Sequence, residues 1–303
     1  MNTTPITPDL LAGSVIAVPP LARNADFSLN REENEKIFRH IESGGVTTML
    51  YGGNANFYHV RPSEFASLLT MLAEISGPDT TTIPAVGPSW GVAMDQAEIL
   101  RDFDFPTAML LPQVGLTTDD GVVTGIRKFA EAYGKKVVVY IKNDGFISVE
   151  GTKKLVDDGI VSWIKYAVVR DNPSVDPFLR DLVESVDPNM IISGIGEQPA
   201  IVHLRDFGVV GFTAGCVCVA PRLSQQMLKA IKAGDFVKAE ELRGIFKKLE
   251  DLRNEINPIR VLHEAVEFAG IAKTGPLLPL LSGVEEEHRS RVREAAQTLF
   301  AEN

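Results

Sequence analysis

Short apolar runs rich in β-branched residues alternate with amphipathic segments along roughly the first two thirds of the chain. Apolar runs of this length predict buried strands, and the longer segments between them predict helices. Strands that alternate with helices in this way form a parallel sheet. The predicted strands are residues 13–19, 47–51, 82–86, 107–111, 136–140, 162–168, 190–193 and 209–213.

The segments between these strands carry apolar residues at helical spacing, and several begin with Ser, Asp or Pro, which favour helix starts. The predicted helices are residues 31–43, 62–75, 94–101, 120–133, 148–157, 174–185 and 198–207. Eight βα units that close on themselves form a TIM barrel. From about residue 221 the strand pattern stops, and helices are predicted at 225–233, 236–256, 259–269 and 284–299. We therefore expect an α/β fold, with a (β/α)8 barrel at residues 1–220 and a C-terminal α-helical extension at 221–303.

Length and charge narrow the class of protein. A chain of 303 residues fits one large barrel domain. The net charge of −10 disfavours a nucleic-acid partner, which would require clustered Lys and Arg. The sequence contains neither an apolar stretch long enough to cross a bilayer nor a signal-peptide pattern at its start. A cytoplasmic protein with no membrane partner is expected.

Cysteine and histidine usage does not indicate a metal or a disulfide. Cys216 and Cys218 are two residues apart near a predicted strand end. At that spacing their side chains are poorly placed to form a disulfide with each other. We expect free, buried thiols. None of the His-Glu-x-x-His or paired Cys-x-x-Cys patterns of zinc sites occurs in the sequence. Neither a metal nor another cofactor is predicted.

Lys165 is the strongest candidate for chemistry, because it lies within an apolar run that reads as a buried strand. Burial lowers the pKa of a lysine, and a neutral amine can attack a carbonyl carbon. The preceding predicted strand ends at Tyr140, which places a phenol one strand away, where it could pass protons. The pair suggests a Schiff-base enzyme. It also fits a strand-end lysine that reaches solvent beside a core tyrosine, and the pair alone does not decide between the two.

Residues at the carboxyl ends of the other predicted strands are suited to a ligand pocket, which is where barrel enzymes bind substrates. Gly53 and Asn54 follow the second strand in a turn whose backbone amides could face a ligand oxygen, although such turns are also common structural loops. Gly194 follows the seventh strand and Thr213 ends the eighth, where small side chains leave room for a bound molecule.

With these landmarks, the chain resembles the dihydrodipicolinate synthase and N-acetylneuraminate lyase superfamily of class I aldolases over nearly its whole length. The landmarks are the Gly-Gly turn, Tyr140, Ile164-Lys165 about 25 residues later, Ser193-Gly194, Gly211-Phe212-Thr213-Ala214 and Asn257-Pro258-Ile259. The resemblance implies that Lys165 forms an imine with a 2-oxo acid such as pyruvate and that Tyr140 relays protons. The implied substrate-binding residues are Gly53, Asn54, Gly194, Thr213 and Val210. The family is commonly tetrameric, so a homo-oligomer (tetramer or dimer) is expected.

The chain departs from the family pattern at several positions. The usual Gly-Thr-Thr-Gly-Glu becomes Gly52-Gly53-Asn54-Ala55-Asn56, which lacks both hydroxyls, and Asn54 cannot relay a proton as a threonine can. The frequent Pro-Tyr-Tyr becomes Pro112-Gln113-Val114. Gly145 stands near the place of an arginine that binds the second substrate in the synthases, and Tyr166 replaces an acidic residue after the lysine. These losses argue against authentic dihydrodipicolinate synthase activity.

The resemblance therefore implies retained imine chemistry, as an aldolase or dehydratase, on a different 2-oxo acid such as a hydroxylated sugar-derived one. Tyr58, His59 or Lys142 could supply the replacement contacts. A different barrel enzyme, such as a phosphate-dependent isomerase or a metal-assisted lyase, is disfavoured, because neither a phosphate cradle nor clustered carboxylates is evident. The main alternative is a catalytically impaired homologue, with a binding or regulatory role, that binds an oxo acid without processing it. Lys165 discriminates between the two, since a lysine paired with Asp or Glu would not be a nucleophile.

Overall fold

Eight parallel strands form a closed barrel in the computed structural model, which describes residues 1–113 and 115–303. The strands are β1 Ile16–Ala17, β2 Thr48–Tyr51, β3 Thr81–Val86, β4 Met109–Leu110, β5 Val137–Ile141, β6 Val161–Tyr166, β7 Ile191–Ser193 and β8 Gly211–Ala214. Each strand pairs with the next, and β8 pairs with β1, where Thr213 lies opposite Ile16. The predicted TIM barrel is confirmed.

Helices follow every strand of the barrel and continue beyond it. They are α1 Pro8–Gly13, α2 Arg31–Ser43, α3 Phe65–Ile75, α4 Trp90–Leu100, α5 Asp119–Tyr133, α6 Val149–Asp157, α7 Pro177–Ser185, α8 Ala200–Asp206, α9 Pro221–Lys232, α10 Phe236–Glu255, α11 Pro258–Phe268 and α12 Glu286–Glu302. No described helix is both long enough and apolar enough to cross a membrane.

Side-chain caps explain why several of these helices begin where the sequence predicts. The Asn30 side chain accepts a hydrogen bond from the Glu33 backbone N–H at the start of α2. Ser148 and Asp176 cap α6 and α7 in the same way. Each cap satisfies one of the backbone donors that a helix start leaves without a partner.

The N-terminal segment differs from the prediction, because helix α1 was missed and β1 is shorter than residues 13–19. Only Leu11 of α1 is buried, so its six residues carry too little periodic signal to predict a helix. A Cβ added at Gly211 would lie 2.9 Å from the Leu11 carbonyl oxygen. Helix α1 therefore lies against the N-terminal end of β8.

The C-terminal helices form the predicted extension and also complete the barrel. Helix α9 packs against both α8 and α2, so it closes the ring of helices around the strands. Helices α10, α11 and α12 pack on one another beyond it. We propose that the barrel unit includes α9 and that the extension begins after it, later than the predicted boundary at residue 220.

Candidate active site

A cavity of about 200 Å³ opens at the carboxyl ends of the barrel strands. Residues on or just after β1, β2, β4, β5, β6, β7 and β8 line it, together with residues of α10 and α11. Among the described residues that line the cavity there are three cations, Lys142, Lys165 and Arg253, and no carboxylate. The cavity is thus positively charged in a protein whose net charge is −10.

Lys165 projects from β6 into this cavity and is only 6% exposed. Its Nζ lies 4.6 Å from the centroid of the Tyr140 ring, which is paired with it across β5 and β6. The ring face favours the ammonium form. Burial and the positive charges of Lys142 and Arg253 act in the opposite direction and lower the pKa of Lys165 to about 7. About half of the amine is then neutral at pH 7, against roughly 1 in 2,500 for an ordinary lysine.

No acidic group in the described part of the chain pairs with Lys165 or stabilises its charge. The sequence left open whether this lysine reaches solvent, pairs with a carboxylate or lies free in a pocket. Its burial excludes the solvated lysine, and its surroundings match the third case. A buried, unpaired amine with a pKa near 7 is suited to nucleophilic attack on a carbonyl carbon.

Tyr140 and Tyr58 bring two phenols to the same cavity. Burial, followed by the neighbouring Tyr58, raises the pKa of Tyr140 above its ordinary value. Burial also raises the pKa of Tyr58 to about 12. Both phenols therefore keep their protons near neutral pH and can donate them. Tyr58 comes from the 3-10 helix Phe57–His59 that follows β2, so it supplies a hydroxyl on the side where the family pattern loses two.

The turn after β2 presents backbone donors at the cavity. Gly53 and Asn54 both line it, and their backbone N–H groups make no hydrogen bond to any residue that the structure describes. The Asn54 side-chain amide donates to the Val18 carbonyl at 3.0 Å, which ties the turn to the end of β1. The two backbone amides are better placed for a carboxylate than the Asn54 side chain, which has one donor already in use.

Gly194 and Thr213 also line the cavity, as predicted, but Val210 does not. A Cβ at Gly194 would lie 2.7 Å from the Ala167 Cβ and 3.0 Å from the Lys165 Cγ, so glycine lets β7 approach the lysine. Val210 is buried just before β8, where its backbone N–H donates to the Ile191 carbonyl. It lies at the N-terminal end of its strand, away from the cavity, and this placement argues against a binding role.

Of the other residues discussed in the sequence analysis, one lies on the cavity wall and the rest lie outside the cavity. Lys142 lies on the cavity wall, with its Nζ 5.6 Å from the Tyr58 ring centroid. His59 lines a separate surface hollow beside Arg61. His203 is buried, with its Nδ1 2.9 Å from the Ser193 hydroxyl, and is not in the cavity. The Tyr166 hydroxyl donates to Asp176 at 2.6 Å, which ties β6 to the start of α7.

Both cysteines are free and buried, as expected. Cys216 lies near Glu197 and Glu250, and the three side chains bring possible metal-ligand atoms within 4.8 Å of one another. Burial raises the pKa of all three groups, which works against the deprotonated forms that bind a metal. The positive charge of Arg253 lies nearby as well. We assign no metal to this cluster.

Arg253 and Asn254 are cavity residues that sequence reasoning missed. They belong to α10, in a predicted helix whose periodic pattern gave no sign of which face meets the barrel mouth. A signal was present nearby, because Arg253 lies about one helical turn before the Asn257-Pro258-Ile259 landmark. Pro258 and Ile259 of that landmark line the cavity too.

A model of the dihydrodipicolinate synthetase family matches residues 130–299, more than half of the chain. A probable 5-dehydro-4-deoxyglucarate dehydratase of Rhizobium meliloti is 22% identical over 92% of this chain and 93% of that protein. A 4-hydroxy-tetrahydrodipicolinate synthase of Dechloromonas aromatica is 25% identical over 94% of this chain and 97% of that protein. The relatives thus include both dehydratases and synthases.

Solved structures support the fold. Dihydrodipicolinate synthase from Oceanobacillus iheyensis superposes with a TM-score of 0.84 at 21% identity, covering 96% of this chain and 97% of that one. The chloride-inhibited dihydrodipicolinate synthase from Acinetobacter baumannii complexed with pyruvate gives a TM-score of 0.82 at 18% identity, covering 95% and 99%. At these identities the likeness establishes the barrel and its C-terminal helices.

Proposed function

The chain belongs to the dihydrodipicolinate synthetase family and is a lyase of that family, and from this premise we propose that it cleaves or dehydrates a hydroxylated 2-oxo acid through an imine at Lys165. The single observation that carries the proposal is the state of Lys165, which is buried in the cavity, unpaired with any described carboxylate, and has a pKa near 7. Nucleophilic catalysis by lysine needs this combination.

The proposed reaction begins when the neutral Nζ of Lys165 attacks the ketone carbon of the 2-oxo acid. The oxygen takes one proton from the attacking amine and one from Tyr140 and leaves as water, so that the imine keeps the remaining N–H and Tyr140 becomes a phenolate. The Gly53 and Asn54 backbone amides hold the adjacent carboxylate. The protonated imine then withdraws electrons from the neighbouring carbon and acts as the electron sink.

Two outcomes share this imine. In dehydration, the Tyr140 phenolate takes a proton from the carbon beside the imine, the enamine forms, and the hydroxyl group on the next carbon takes a proton from a cavity phenol and leaves as water. In retro-aldol cleavage, that hydroxyl group instead gives up its proton, and the carbon–carbon bond breaks to release an aldehyde and leave the enamine. Both need a group that moves a proton at the hydroxyl, and Tyr58 supports this role by its place beside Tyr140 on the cavity.

Condensation of the synthase type is not proposed. The family arginine after β5 is replaced near Gly145, and the second tyrosine of Pro-Tyr-Tyr falls at Val114, which lies outside the described residues. The impaired, ligand-binding alternative is weakened by Tyr58, because a phenol in the cavity restores a proton donor where two threonine hydroxyls are missing.

Borohydride trapping tests the proposal directly. The protein is incubated with pyruvate and with a panel of hydroxylated 2-oxo acids, reduced, and measured by intact-protein mass spectrometry. We expect a covalent mass gain that peptide mapping locates at Lys165. Products are then followed for each hydroxylated acid, since water loss and aldehyde release distinguish dehydration from cleavage. An adduct that maps elsewhere, or none with any acid, would overturn the proposal.

The pH dependence of trapping reports the pKa of the nucleophile. Because the neutral amine attacks, the rate of imine formation is expected to rise with pH and to level off above about pH 7. An ordinary lysine would continue to gain rate up to about pH 10. Quenching with borohydride over a pH series measures the pH at which the rate of imine formation reaches half of its plateau value. Replacement Lys142→Met removes one neighbouring positive charge, so the midpoint should move upward. A wild-type rate that climbs without levelling off would contradict the assigned pKa.

A further inference from the structure

Two glycines of the cavity wall leave room for two charged side chains of α10. Gly196 follows β7, Gly215 follows β8, and both line the cavity. A Cβ added at Gly196 would overlap the Glu250 Oε1 atom, and one added at Gly215 would lie 2.5 Å from a guanidinium nitrogen of Arg253. Glu250 and Arg253 are three residues apart, so they lie on the same face of the helix. Helix α10 therefore places one acidic and one basic group directly against the cavity wall.

Glu250 is in contact with a second buried carboxyl group, that of Glu197. The Glu250 Oε1 atom accepts a hydrogen bond from the Glu197 backbone N–H at 3.1 Å, and the Ser224 hydroxyl donates to the Glu197 Oε1 atom at 2.9 Å. The two carboxyl groups also hydrogen-bond to each other. A hydrogen bond between two carboxyl groups requires a proton on one of them, since an ionised carboxylate only accepts. The contact therefore holds one proton between the two groups.

Glu197 is the better placed of the two to carry the negative charge. Burial raises its pKa, but hydrogen bonds from Glu250 and Ser224 and the positive charge of Arg253 act in the opposite direction. Glu250 has fewer such contacts, and burial followed by the charge of Glu197 raises its pKa well above the ordinary value. Glu250 is therefore the proton donor of the pair, and Glu197 is the ionised acceptor.

The negative charge of this pair lies close to the positive charge of Arg253. Cys216, beside Arg253, brings its sulfur within 4.8 Å of an oxygen of both carboxyl groups. All of these side chains are buried, and opposite charges attract strongly where water is excluded. Arg253 in turn acts on Lys165, because its positive charge disfavours the ammonium form of that amine. A change in the charge of the acid pair therefore reaches Lys165 through Arg253.

We propose that Glu197 and Glu250 are a positioning pair for the reaction, which shares one proton and whose single negative charge offsets that of Arg253 and so sets the electrostatic field around the Lys165 amine. Neither carboxyl group lines the cavity, so neither touches the substrate. The protonated imine also benefits, because a guanidinium without a counter-charge would repel it. The inference deepens the proposed imine function and rests on it.

Other ionisable groups near Lys165 or the acid pair come from three places in the fold. They lie on or just after β5, in the 3-10 helix after β2 and just after β8. These groups are Tyr140, Lys142, Tyr58, Cys216 and Cys218. All five stay unchanged in the variants described next, so a shift in the pH dependence of trapping reports the charges of the pair and of Arg253.

The pH dependence of pyruvate trapping tests the pair. The rate of borohydride trapping is expressed as a fraction of its plateau for each protein, and the trapping midpoint is the pH at half of that plateau. Glu250→Gln is the matched control, because an amide can donate to Glu197 as the protonated acid does, and its midpoint should stay within about 0.3 pH units of wild type. Adding Glu197→Gln removes the charge, so the midpoint should fall by about 0.5 to 1 pH unit. Well below the midpoint, the fraction of the plateau rate should then rise about three- to tenfold.

A triple variant separates charge from structure. Arg253→Met, added to the two glutamine replacements, removes the positive charge that the pair offsets, so the midpoint should return toward that of wild type. A structural role for the pair predicts no such return, because the triple variant carries one more replacement in the same buried cluster. Circular dichroism and thermal unfolding identify any variant that fails to fold. If the double variant fails, Arg253→Met alone should have a midpoint above wild type, and the triple variant should lie about 0.5 to 1 pH unit below it.

Three results would overturn the inference, and they differ from one another. A wild-type midpoint in every folded variant would mean that the pair has no effect on Lys165. A midpoint lowered as far by Glu250→Gln alone as by both replacements would contradict the assignment of the proton to Glu250 and the charge to Glu197. If the wild-type protein traps no pyruvate at any pH, the imine function itself fails, and the inference fails with it.

Discussion

Replacing Lys165 by Met is expected to abolish turnover and borohydride trapping while making the protein more stable. Methionine has a similar length and no amine, so the imine cannot form. The stability gain has a separate cause. Burial and neighbouring cations lower the pKa of Lys165 from its ordinary 10.5 to about 7, which means that the folded protein holds the ammonium form at a cost. At about 1.4 kcal/mol per pKa unit, the cost near neutral pH is a few kcal/mol.

The pH dependence of this gain follows from the two protonation states. Below about pH 7 the lysine is charged in both the folded and the unfolded protein, and the folded state bears the full cost. Between pH 7 and 10.5 the unfolded chain binds the proton and the folded protein releases it, so wild-type stability rises with pH. Denaturant unfolding of both proteins should therefore give a stability difference that is largest and nearly constant below about pH 7 and narrows toward pH 10.

Lys142→Met is the matched control, because Lys142 is a partly exposed cation on the same cavity. It should retain trapping at Lys165 and gain much less stability, since the Lys142 side chain is exposed whereas that of Lys165 is buried. Turnover that survives in Lys165→Met would eliminate the lysine as the nucleophile. A loss of both activity and stability would instead indicate that the amine holds the fold together.

The barrel and the central pair were predictable because their signals are local. The strands are buried on both faces and therefore read as short apolar runs, and side chains such as Ser148 and Asp176 cap the helices that follow. Consecutive βα units place neighbouring strands side by side, so Tyr140 at the end of one and Lys165 in the next were expected to meet. They are paired in register across β5 and β6.

The parts that could not be predicted depend on contacts between distant segments. Arg253 reaches the cavity because α10 and α11 pack at the open end of the barrel. The periodicity of apolar residues in a helix does not identify which of its turns faces the cavity. Tyr58 depends on the path of the loop after β2. Val210 was placed with the binding residues by resemblance, but it precedes β8, whereas Thr213 near the end of that strand lines the cavity.

The second large effect is expected from Tyr140→Phe, which should lower kcat by about 10²- to 10⁴-fold, the usual value of a positioned proton donor. The phenylalanine ring keeps the contact of the ring face with the Lys165 amine, and the hydroxyl that is lost makes no hydrogen bond within the described chain. Folding should therefore be little affected. Trapping with pyruvate should still occur, but more slowly, because the amine remains and only the proton transfer is lost. Single-turnover rates and substrate titrations distinguish an effect on substrate binding and imine formation from an effect on the later proton transfer.

Tyr58→Phe is the matched comparison, because it removes the other phenol of the same cavity. If Tyr140 serves the imine carbon and Tyr58 serves the departing group, Tyr58→Phe should leave pyruvate trapping near the wild-type rate and slow only the turnover of hydroxylated acids. The double variant should then lose less than the product of the two single losses if both phenols act in one relay. Wild-type turnover in Tyr140→Phe would show that the proton comes from another group, and Tyr58 would be the first to examine.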